Sequence, residues 1–356
     1  MDRAVAQTPV EGTAHWFELQ AVACEAFGSP LYAGLLNHAA RDLRDGGPVA
    51  GVLEGHLDAP GPGALSLRML GGVHALVLAG RAPELASFYP SAGGHADAGP
   101  GAALAWQALR QVLIEHADEV RTWLDHPPQT NEVGRGAALV GALCHLVSQA
   151  SYPIRLVEIG ASAGLNLRAD KFRITGGGTA YGEPSSPVRM IDGWLGQAPA
   201  AAGIQVVSRV GGDLAPVDPV SESGRRKLLA YVWPDQLERL ARLRGACQLA
   251  AEIGAEMRTE SASETISRTT LEPGTWTVLW HSIMRHYLSR EQKEAVDAGI
   301  EALGAQATNS ARFAHVSLEL IRGTTDTPIE LVTWPGRVTR RLGTAPPHGL
   351  PVTWSS

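Results

Sequence analysis

The residues with the clearest chemical potential lie in Pro153–Asp170, which reads PIRLVEIGASAGLNLRAD. An apolar segment there leads directly into a carboxylate, Glu158, and then into a turn of small residues, Gly160–Gly164. A helix-like segment follows at Leu165. A strand, a glycine-rich turn and a helix in this order present backbone N–H groups to a ligand at the carboxyl end of the strand. The pattern therefore predicts a ligand site at one strand end.

The position of Glu158 narrows the choice of ligand. In dinucleotide-binding units the acidic residue comes about 20 residues after the glycines, where it meets a ribose. Glu158 instead stands two residues before Gly160, where a carboxylate is placed to hold an ammonium group beside the turn. S-adenosylmethionine carries an ammonium group and NAD does not. The pattern therefore favours S-adenosylmethionine over a nicotinamide cofactor, and a structural turn that binds nothing is the remaining alternative.

The string EIGASAG, residues 158–164, resembles motif I of the class I S-adenosylmethionine-dependent methyltransferases. That motif is an acid followed by three glycines at alternate positions. The resemblance implies a Rossmann-like, mostly parallel α/β sheet with S-adenosylmethionine as cofactor. Ser162 stands where the family usually has its middle glycine, which keeps open a non-catalytic Rossmann-like binding module. The cofactor-binding positions implied by the motif are Glu158, Gly160, Ala161, Ser162, Ala163, Gly164 and Asn166.

Three further residues are predicted to bind the cofactor. Asp213 and Leu214 follow the second predicted strand, where a carboxylate can accept two hydrogen bonds from a ribose diol. An ordinary turn aspartate is an equal alternative, because the separation from Gly164 exceeds the usual spacing of about 20 residues. Arg135 lies in the first turn of the helix before the first strand, where a cation gains nothing from the helix dipole. Its guanidinium suits the methionine carboxylate, with a solvated arginine as the alternative.

Two histidines near a second strand end are candidates for a general base. The string WTVLWHSIMRHYL is similar to the fourth-strand region of methyltransferases and contains His281 and His286. An imidazole titrates near neutral pH, so either ring suits proton removal, and a packing or capping role is the alternative for both. Ser282 and Tyr287 are predicted to border the substrate pocket.

A third candidate base comes from the unusual string YVWPDQ, residues 231–236. Asp235 is either a catalytic carboxylate or the cap of a helix, and the cap is slightly favoured. Trp233 is predicted to form an apolar wall of the substrate pocket. Metal binding is not predicted, because the pair His95 and Asp97 has no third ligand assigned to it.

A wider resemblance covers most of the chain and bears on its fold from Gln129 onward. The strings QTNEVGR, RLVEIGASAGLNLRAD, GDLAPVD, YVWPDQ and VLWHSIMRHYL are similar to those of an uncharacterised bacterial family, domain-of-unknown-function family 2332. That family is methyltransferase-like and has no established reaction. The resemblance supports the fold prediction and implies no particular substrate.

Composition limits the class of protein. The chain has 356 residues, of which 44% are hydrophobic and 19% charged, and a net charge of −6. These values predict a globular protein and disfavour a general nucleic-acid binder. The three cysteines form no CxxC pair, which fits a reducing cytoplasm. We expect a cytoplasmic protein with a small-molecule substrate and neither a membrane nor a nucleic-acid partner; the oligomeric state is left open.

The order of predicted elements indicates two parts. Residues 1–129 read as a helical lid or cap, and residues 130–356 as a Rossmann-like, methyltransferase-like domain in which strands alternate with helices. Residues 176–187, GGGTAYGEPSSP, are predicted to form a surface loop beside the pocket. The function expected from the whole sequence is S-adenosylmethionine-dependent methyl transfer to an O, N or S atom of a small molecule.

Overall fold

The computed structural model describes residues 8–57, 64–95, 100–321 and 327–355. The chain forms two compact units. A helical unit contains Met1–Thr130 and Arg225–Leu240, and a sheet unit contains Asn131–Gly224 and Ala241–Ser356. Residues 225–240, which the sequence pattern places in the Rossmann-like part, therefore group with the helical unit. Asp97 of the weak metal motif lies outside the described residues.

Twelve α-helices lie within the described part of the chain. They are α1 (Pro9–Ala26), α2 (Pro30–Arg44), α3 (Pro48–Val52), α4 (Leu65–Leu78), α5 (Pro83–Ala86), α6 (Pro100–Glu115), α7 (Ala117–Arg121), α8 (Gly136–Gln149), α9 (Glu222–Ala230), α10 (Leu237–Glu252), α11 (Ala262–Ser267) and α12 (Arg290–Gly304). The last of these begins with a capping box: the Ser289 hydroxyl accepts from the Gln292 N–H, and the Gln292 side chain accepts from the Ser289 N–H.

Eleven β-strands of the described chain form one sheet. They are β1 (Ile154–Ile159), β2 (Arg173–Gly176), β3 (Thr179–Tyr181), β4 (Arg189–Leu195), β5 (Val206–Asp213), β6 (Glu256–Thr259), β7 (Thr275–Ser282), β8 (Ala311–Leu318), β9 (Pro328–Trp334), β10 (Val338–Thr344) and β11 (Val352–Trp354). Their order is β3-β2-β4-β11-β10-β9-β8-β7-β1-β5-β6. The expected α/β class, with a helical N-terminal region and an open, mostly parallel sheet, is confirmed at this level.

The five strands β6, β5, β1, β7 and β8 are neighbours in that order and all parallel. Chain order reverses at β1, because β5 and β6 follow on one side and β7 and β8 on the other. Such a switch point, at the carboxyl ends of the strands, is where open α/β sheets bind ligands. The turn after β1 and the residues following β5 and β7 therefore share one edge of the sheet.

Two stretches differ from the sequence prediction. Residues 176–187 are not simply a loop, because β2 pairs with β3 in a hairpin across the glycines and β2 also pairs with β4. The glycine and proline content of this stretch indicated a loop because turn residues outnumber the short strand TAY. The segment beginning at Leu165 is a short 3₁₀ helix, Leu165–Lys171, interrupted in its geometry at Arg168.

Candidate cofactor site

The turn after β1 has the backbone conformation of a three-glycine motif. Gly160, Ser162 and Gly164 have φ values of +65°, +54° and +63°. A Cβ on Gly160 would lie 3.0 Å from the Cβ of Met284, and one on Gly164 would lie 2.6 Å from the sulfur of Met257. A side chain at either position would need its methionine neighbour to shift, in addition to the strain of a positive φ. Ser162 adopts the left-handed conformation that a glycine at its position would favour.

We expect Ser162→Gly to stabilise the fold by about 0.5–1 kcal/mol, because glycine has no Cβ to strain at positive φ. The Ser162 hydroxyl is also buried without a hydrogen-bond partner among the described residues, so its removal costs no internal bond. Urea unfolding measures the change. Ala163→Gly is the matched control: Ala163 is buried and lacks a positive φ, so this change should destabilise. A Ser162→Gly variant less stable than the natural protein would contradict the strain argument.

The turn is held mainly by bonds that its own N–H groups donate within the protein. Ala161 N–H donates to Gly212 O at 3.1 Å, and Gly164 N–H to Ala161 O at 2.7 Å. Ser162 N–H donates to Asp213 Oδ2 at 2.8 Å. The expectation that the backbone offers a row of donors to the ligand is thus met only in part. A ligand at this turn would therefore find most of its polar partners among side chains.

Glu158 is the buried carboxylate of the site, with 3% of its surface exposed. In the sheet it lies opposite Trp280 on β7 and Gly211 on β5. Burial raises its pKa to about 8, although the indole N–H of Trp280 and the cations of Arg168 and Arg135 act in the opposite direction. Without a ligand the group is therefore largely a neutral carboxylic acid at pH 7.

Three buried polar atoms around the turn have no hydrogen-bond partner among the described residues. They are Glu158 Oε2, Ser162 Oγ and Asn166 Oδ1. All three belong to one stretch of nine residues, Glu158–Asn166. A buried polar group without a partner costs free energy unless a ligand or water satisfies it, so their concentration here indicates a binding site.

Arg135 reaches the same edge of the sheet from the short 3₁₀ helix Val133–Arg135 before α8. Its Nε donates to Pro347 O at 3.0 Å, and NH1 lies 3.4 Å from Ser282 O at the end of β7. The guanidinium also lowers the pKa of Glu158. Arg135 and Glu158 therefore interact electrostatically. The predicted contact of Arg135 with a methionine carboxylate stays a prediction.

Asp213, at the end of β5, uses both carboxylate oxygens on backbone groups. Oδ2 accepts from Ser162 N–H at 2.8 Å, and Oδ1 accepts from Ala215 N–H at 2.9 Å. The side chain thus joins the turn after β1 to the turn after β5. Each oxygen still has a second lone pair that can accept a hydrogen bond from a ribose hydroxyl. The contact with a ribose therefore stays a prediction. The neighbouring Leu214 is 71% exposed.

His281 does not offer a free ring nitrogen. It is 1% exposed, its Nδ1 lies 2.8 Å from Glu319 Oε1, and its Nε2 lies 2.9 Å from Nε2 of His315. Because Trp280 shares a sheet face with Glu158, the next residue, His281, points to the opposite face. This geometry does not favour the predicted role of His281 as general base.

The segment after β7 supplies the exposed aromatic candidates. His286 and Tyr287 lie in the 3₁₀ helix Arg285–Tyr287, with ring centroids 3.8 Å apart. Both are exposed, and Tyr287 is 64% exposed. Burial of part of the ring and the charge of Arg135 lower the pKa of His286, whose charge Glu319 partly favours. His286 is thus the more accessible of the two predicted histidines. Ser282 contributes its carbonyl oxygen to Arg135.

Asp235 and Trp233 lie in the helical unit. Asp235 Oδ1 accepts from the Ser29 hydroxyl at 2.5 Å and Oδ2 from Leu31 N–H at 3.2 Å, at the start of α2. Burial raises the pKa of Asp235, while these two bonds act to lower it. The carboxylate therefore caps a helix, although α2 and not its own helix. Trp233 is 7% exposed and packs in the core of this unit, with its ring 6.5 Å from that of Tyr32.

Sequence reasoning missed two charged residues at the site. Arg168 is 4% exposed. It donates from NH1 to Gly164 O at 2.6 Å and from Nε to Ile253 O at 3.0 Å, so it holds the carbonyl group at the end of the turn. Glu319 follows β8 and bonds to His281. The one available signal was position, since both residues lie beside strand ends or the turn.

Comparison with known proteins gives one result. The family model for an uncharacterised protein conserved in bacteria, DUF2332, matches residues 14–354. No curated protein matches the chain. The described residues contain no helix long and apolar enough to cross a membrane and no cluster of three or more metal-ligating side chains. The matched residues cover nearly all of the sequence, so the chain belongs to the DUF2332 family of uncharacterised bacterial proteins.

Proposed function

We propose that this protein binds S-adenosylmethionine at the turn after β1 and transfers its methyl group to an O, N or S atom of a small molecule. The observation that carries the proposal is the group of three unsatisfied buried atoms of Glu158, Ser162 and Asn166 beside a turn with three positive φ values. The order of the five parallel strands, with the turn at the switch point, agrees with a class I methyltransferase-like fold.

The two ends of the methionine moiety match the two charged side chains. Glu158 would accept hydrogen bonds from the ammonium group and Arg135 would hold the carboxylate. The nearby Asn166 and Ser162 supply further acceptor and hydroxyl atoms. NAD has no ammonium group to satisfy Glu158, so a nicotinamide-dependent oxidoreductase fits this site less well.

The cofactor supplies an activated methyl group on a sulfonium. The protein needs to align the acceptor with that group, to exclude water, and to remove a proton where the acceptor carries one. His286 is the proposed base, because it is exposed and its lowered pKa keeps the imidazole neutral near pH 7. Tyr287, whose ring is tilted 42° against that of His286, offers an aromatic surface for the substrate.

The proposal is tested by isothermal titration calorimetry with S-adenosylhomocysteine. We expect binding that strengthens as the pH rises toward about 8 and then levels off, since an ammonium selects the ionised form of Glu158. At pH 7 binding should release close to one proton per ligand, read from the dependence of the heat on buffer ionisation enthalpy.

NAD and NADP at the same concentrations serve as ligand controls and should give no heat. Glu158→Gln should bind more weakly and release no proton. A natural protein that gives neither heat nor a melting shift with millimolar S-adenosylhomocysteine would reject the cofactor assignment. Binding without proton release would reject the role of Glu158 while leaving the cofactor in place.

A further inference from the structure

A buried polar cluster at the ends of β7 and β8 converges on one carboxylate. Glu319 Oε1 accepts from His281 Nδ1 at 2.8 Å and from Met284 N–H at 3.1 Å. Glu319 Oε2 lies 3.3 Å from Arg285 N–H. One side chain therefore collects three donors, two of them from the backbone of the segment that follows β7.

The charge state of this cluster fixes the direction of its main bond. Burial alone would raise the pKa of Glu319, but the bond from His281 and the two backbone N–H groups outweigh burial and lower it. An ionised carboxylate only accepts, so His281 Nδ1 carries a proton and donates it to the bond. Burial and the neighbouring His281 and Arg285 hold the pKa of His315 well below its usual range, so that ring is neutral.

The segment that Glu319 anchors contacts the turn after β1 at Gly160. Ile283 has a φ of +49°, and its N–H donates to Leu318 O at 2.9 Å. This left-handed residue turns the next two N–H groups toward the carboxylate, as in an anion-binding nest. Met284 then packs against Gly160, with its Cβ 3.0 Å from where a Cβ of that glycine would lie.

We propose that Glu319 and His281 are positioning residues: Glu319 anchors the segment Ile283–Tyr287 through its backbone, and His281 holds that carboxylate in place. This anchor keeps Met284 packed against the turn at Gly160. It also fixes the positions of His286 and Tyr287, which belong to the same segment. The anchoring is a property of the fold. Only its effect on ligand binding rests on the proposed function.

A matched pair of substitutions separates the two nitrogens of His281. His281→Asn places an amide N–H close to the position of Nδ1, so it keeps the donor to Glu319 and loses the contact with His315. His281→Gln reaches toward the position of Nε2 and loses the donor to Glu319. Glu319→Gln removes the charge and presents an N–H to one of the three donors.

The first readout is amide hydrogen exchange without ligand. We expect exchange at Met284 and Arg285 to accelerate at least tenfold in His281→Gln and Glu319→Gln, and to change by less than about threefold in His281→Asn. Amides of Val157 and Ile159 in β1 report global stability and should change little. A merely structural role for His281 would instead change exchange equally in both His281 variants.

The second readout is affinity for S-adenosylhomocysteine. We expect His281→Gln and Glu319→Gln to bind about tenfold or more weakly, and His281→Asn to bind nearly as the natural protein does. Met284→Ala keeps the anchor, so it should weaken binding while leaving exchange at Arg285 unchanged. It also provides a test if a variant at Glu319 does not fold.

The outcomes separate the two proposals. If the natural protein does not bind the ligand, the cofactor proposal fails, but hydrogen exchange still decides the anchoring. Unchanged exchange at Met284 and Arg285 in both Gln variants would overturn the anchoring role. Equal effects of His281→Asn and His281→Gln would overturn the role given to Nδ1.

Discussion

Replacing Glu158 by glutamine is expected to stabilise the folded protein at pH 8 while weakening its binding of S-adenosylhomocysteine. Glutamine keeps the shape of the side chain and cannot ionise. The carboxyl group is 3% exposed, and burial raises its pKa from 4.5 to about 8. The same burial that prepares Glu158 for an ammonium partner thus disfavours its charged form in the unliganded protein.

The sign of the pH dependence follows from proton binding. Between about pH 4.5 and pH 8 the unfolded chain has released the Glu158 proton and the folded protein still holds it. The free energy of unfolding contributed by this group is therefore fully present below pH 4.5, falls as the pH rises, and is lost by about pH 8. Each pKa unit corresponds to about 1.4 kcal/mol, so the contribution lost over these 3.5 units is on the order of 5 kcal/mol.

Urea unfolding at pH 5, 6, 7 and 8 measures this prediction. The free energy of unfolding of Glu158→Gln, relative to that of the natural protein, should increase as the pH rises, by several kcal/mol across the series. Its affinity for S-adenosylhomocysteine should fall about 10- to 100-fold, because a hydrogen bond to a charged partner contributes roughly 1.5–3 kcal/mol.

Glu301→Gln is the control for removal of a carboxylate. Glu301 pairs with Arg337 at 2.8 Å on the surface, where both side chains are about half exposed. Such a pair contributes about 0–1 kcal/mol, so this variant should show no pH-dependent gain and no loss of affinity. A Glu158→Gln protein that is less stable at pH 8 and binds the ligand within about twofold of the natural protein would show that Glu158 is only structural.

The fold was predictable where the sequence shows a clear spacing of apolar residues and clear turn residues. TWTVLW, residues 275–280, is apolar on both faces, as expected of a central parallel strand, and lies between β1 and β8. Strand β3 was not predicted, because it is only three residues long and the glycines around it indicate a loop. Four other strands, β2, β4, β10 and β11, were also not predicted; β10 carries exposed charged residues and β11 is very short.

The candidate site could be identified from the sequence only as far as its residues are close together in the chain. Glu158, the turn and Asn166 lie within nine residues, so one motif identifies them together. The environment of His281 depends on His315 and Glu319, which are 34 and 38 residues away in the chain. Its position at a strand end predicted that His281 lies at the same edge of the sheet as the turn after β1. Only the register of β7 shows that its ring lies on the other face of the sheet from Glu158.

Replacing Asp213 is the second large effect that we expect. Its two oxygens accept backbone N–H bonds from Ser162 at 2.8 Å and Ala215 at 2.9 Å, and the side chain is half-buried. Asp213→Ala leaves both N–H groups without their acceptor, so the fold should lose about 2–3 kcal/mol. Asp213→Asn keeps one acceptor oxygen and should lose roughly half of that.

The stability loss alone does not show whether Asp213 also holds a ribose, so the ligand must be varied together with the protein. Removing both ribose hydroxyls from S-adenosylhomocysteine should weaken binding to the natural protein by about 100-fold or more, since two hydrogen bonds to a carboxylate are lost. In Asp213→Asn the same change in the ligand should cost much less, because the charged acceptor is already gone. The two measurements form a double-mutant cycle between protein and ligand, and its coupling free energy should reach about 1 kcal/mol or more. If the ligand without hydroxyls loses the same affinity against both proteins, Asp213 serves only to join the turn at Ser162 to the end of β5.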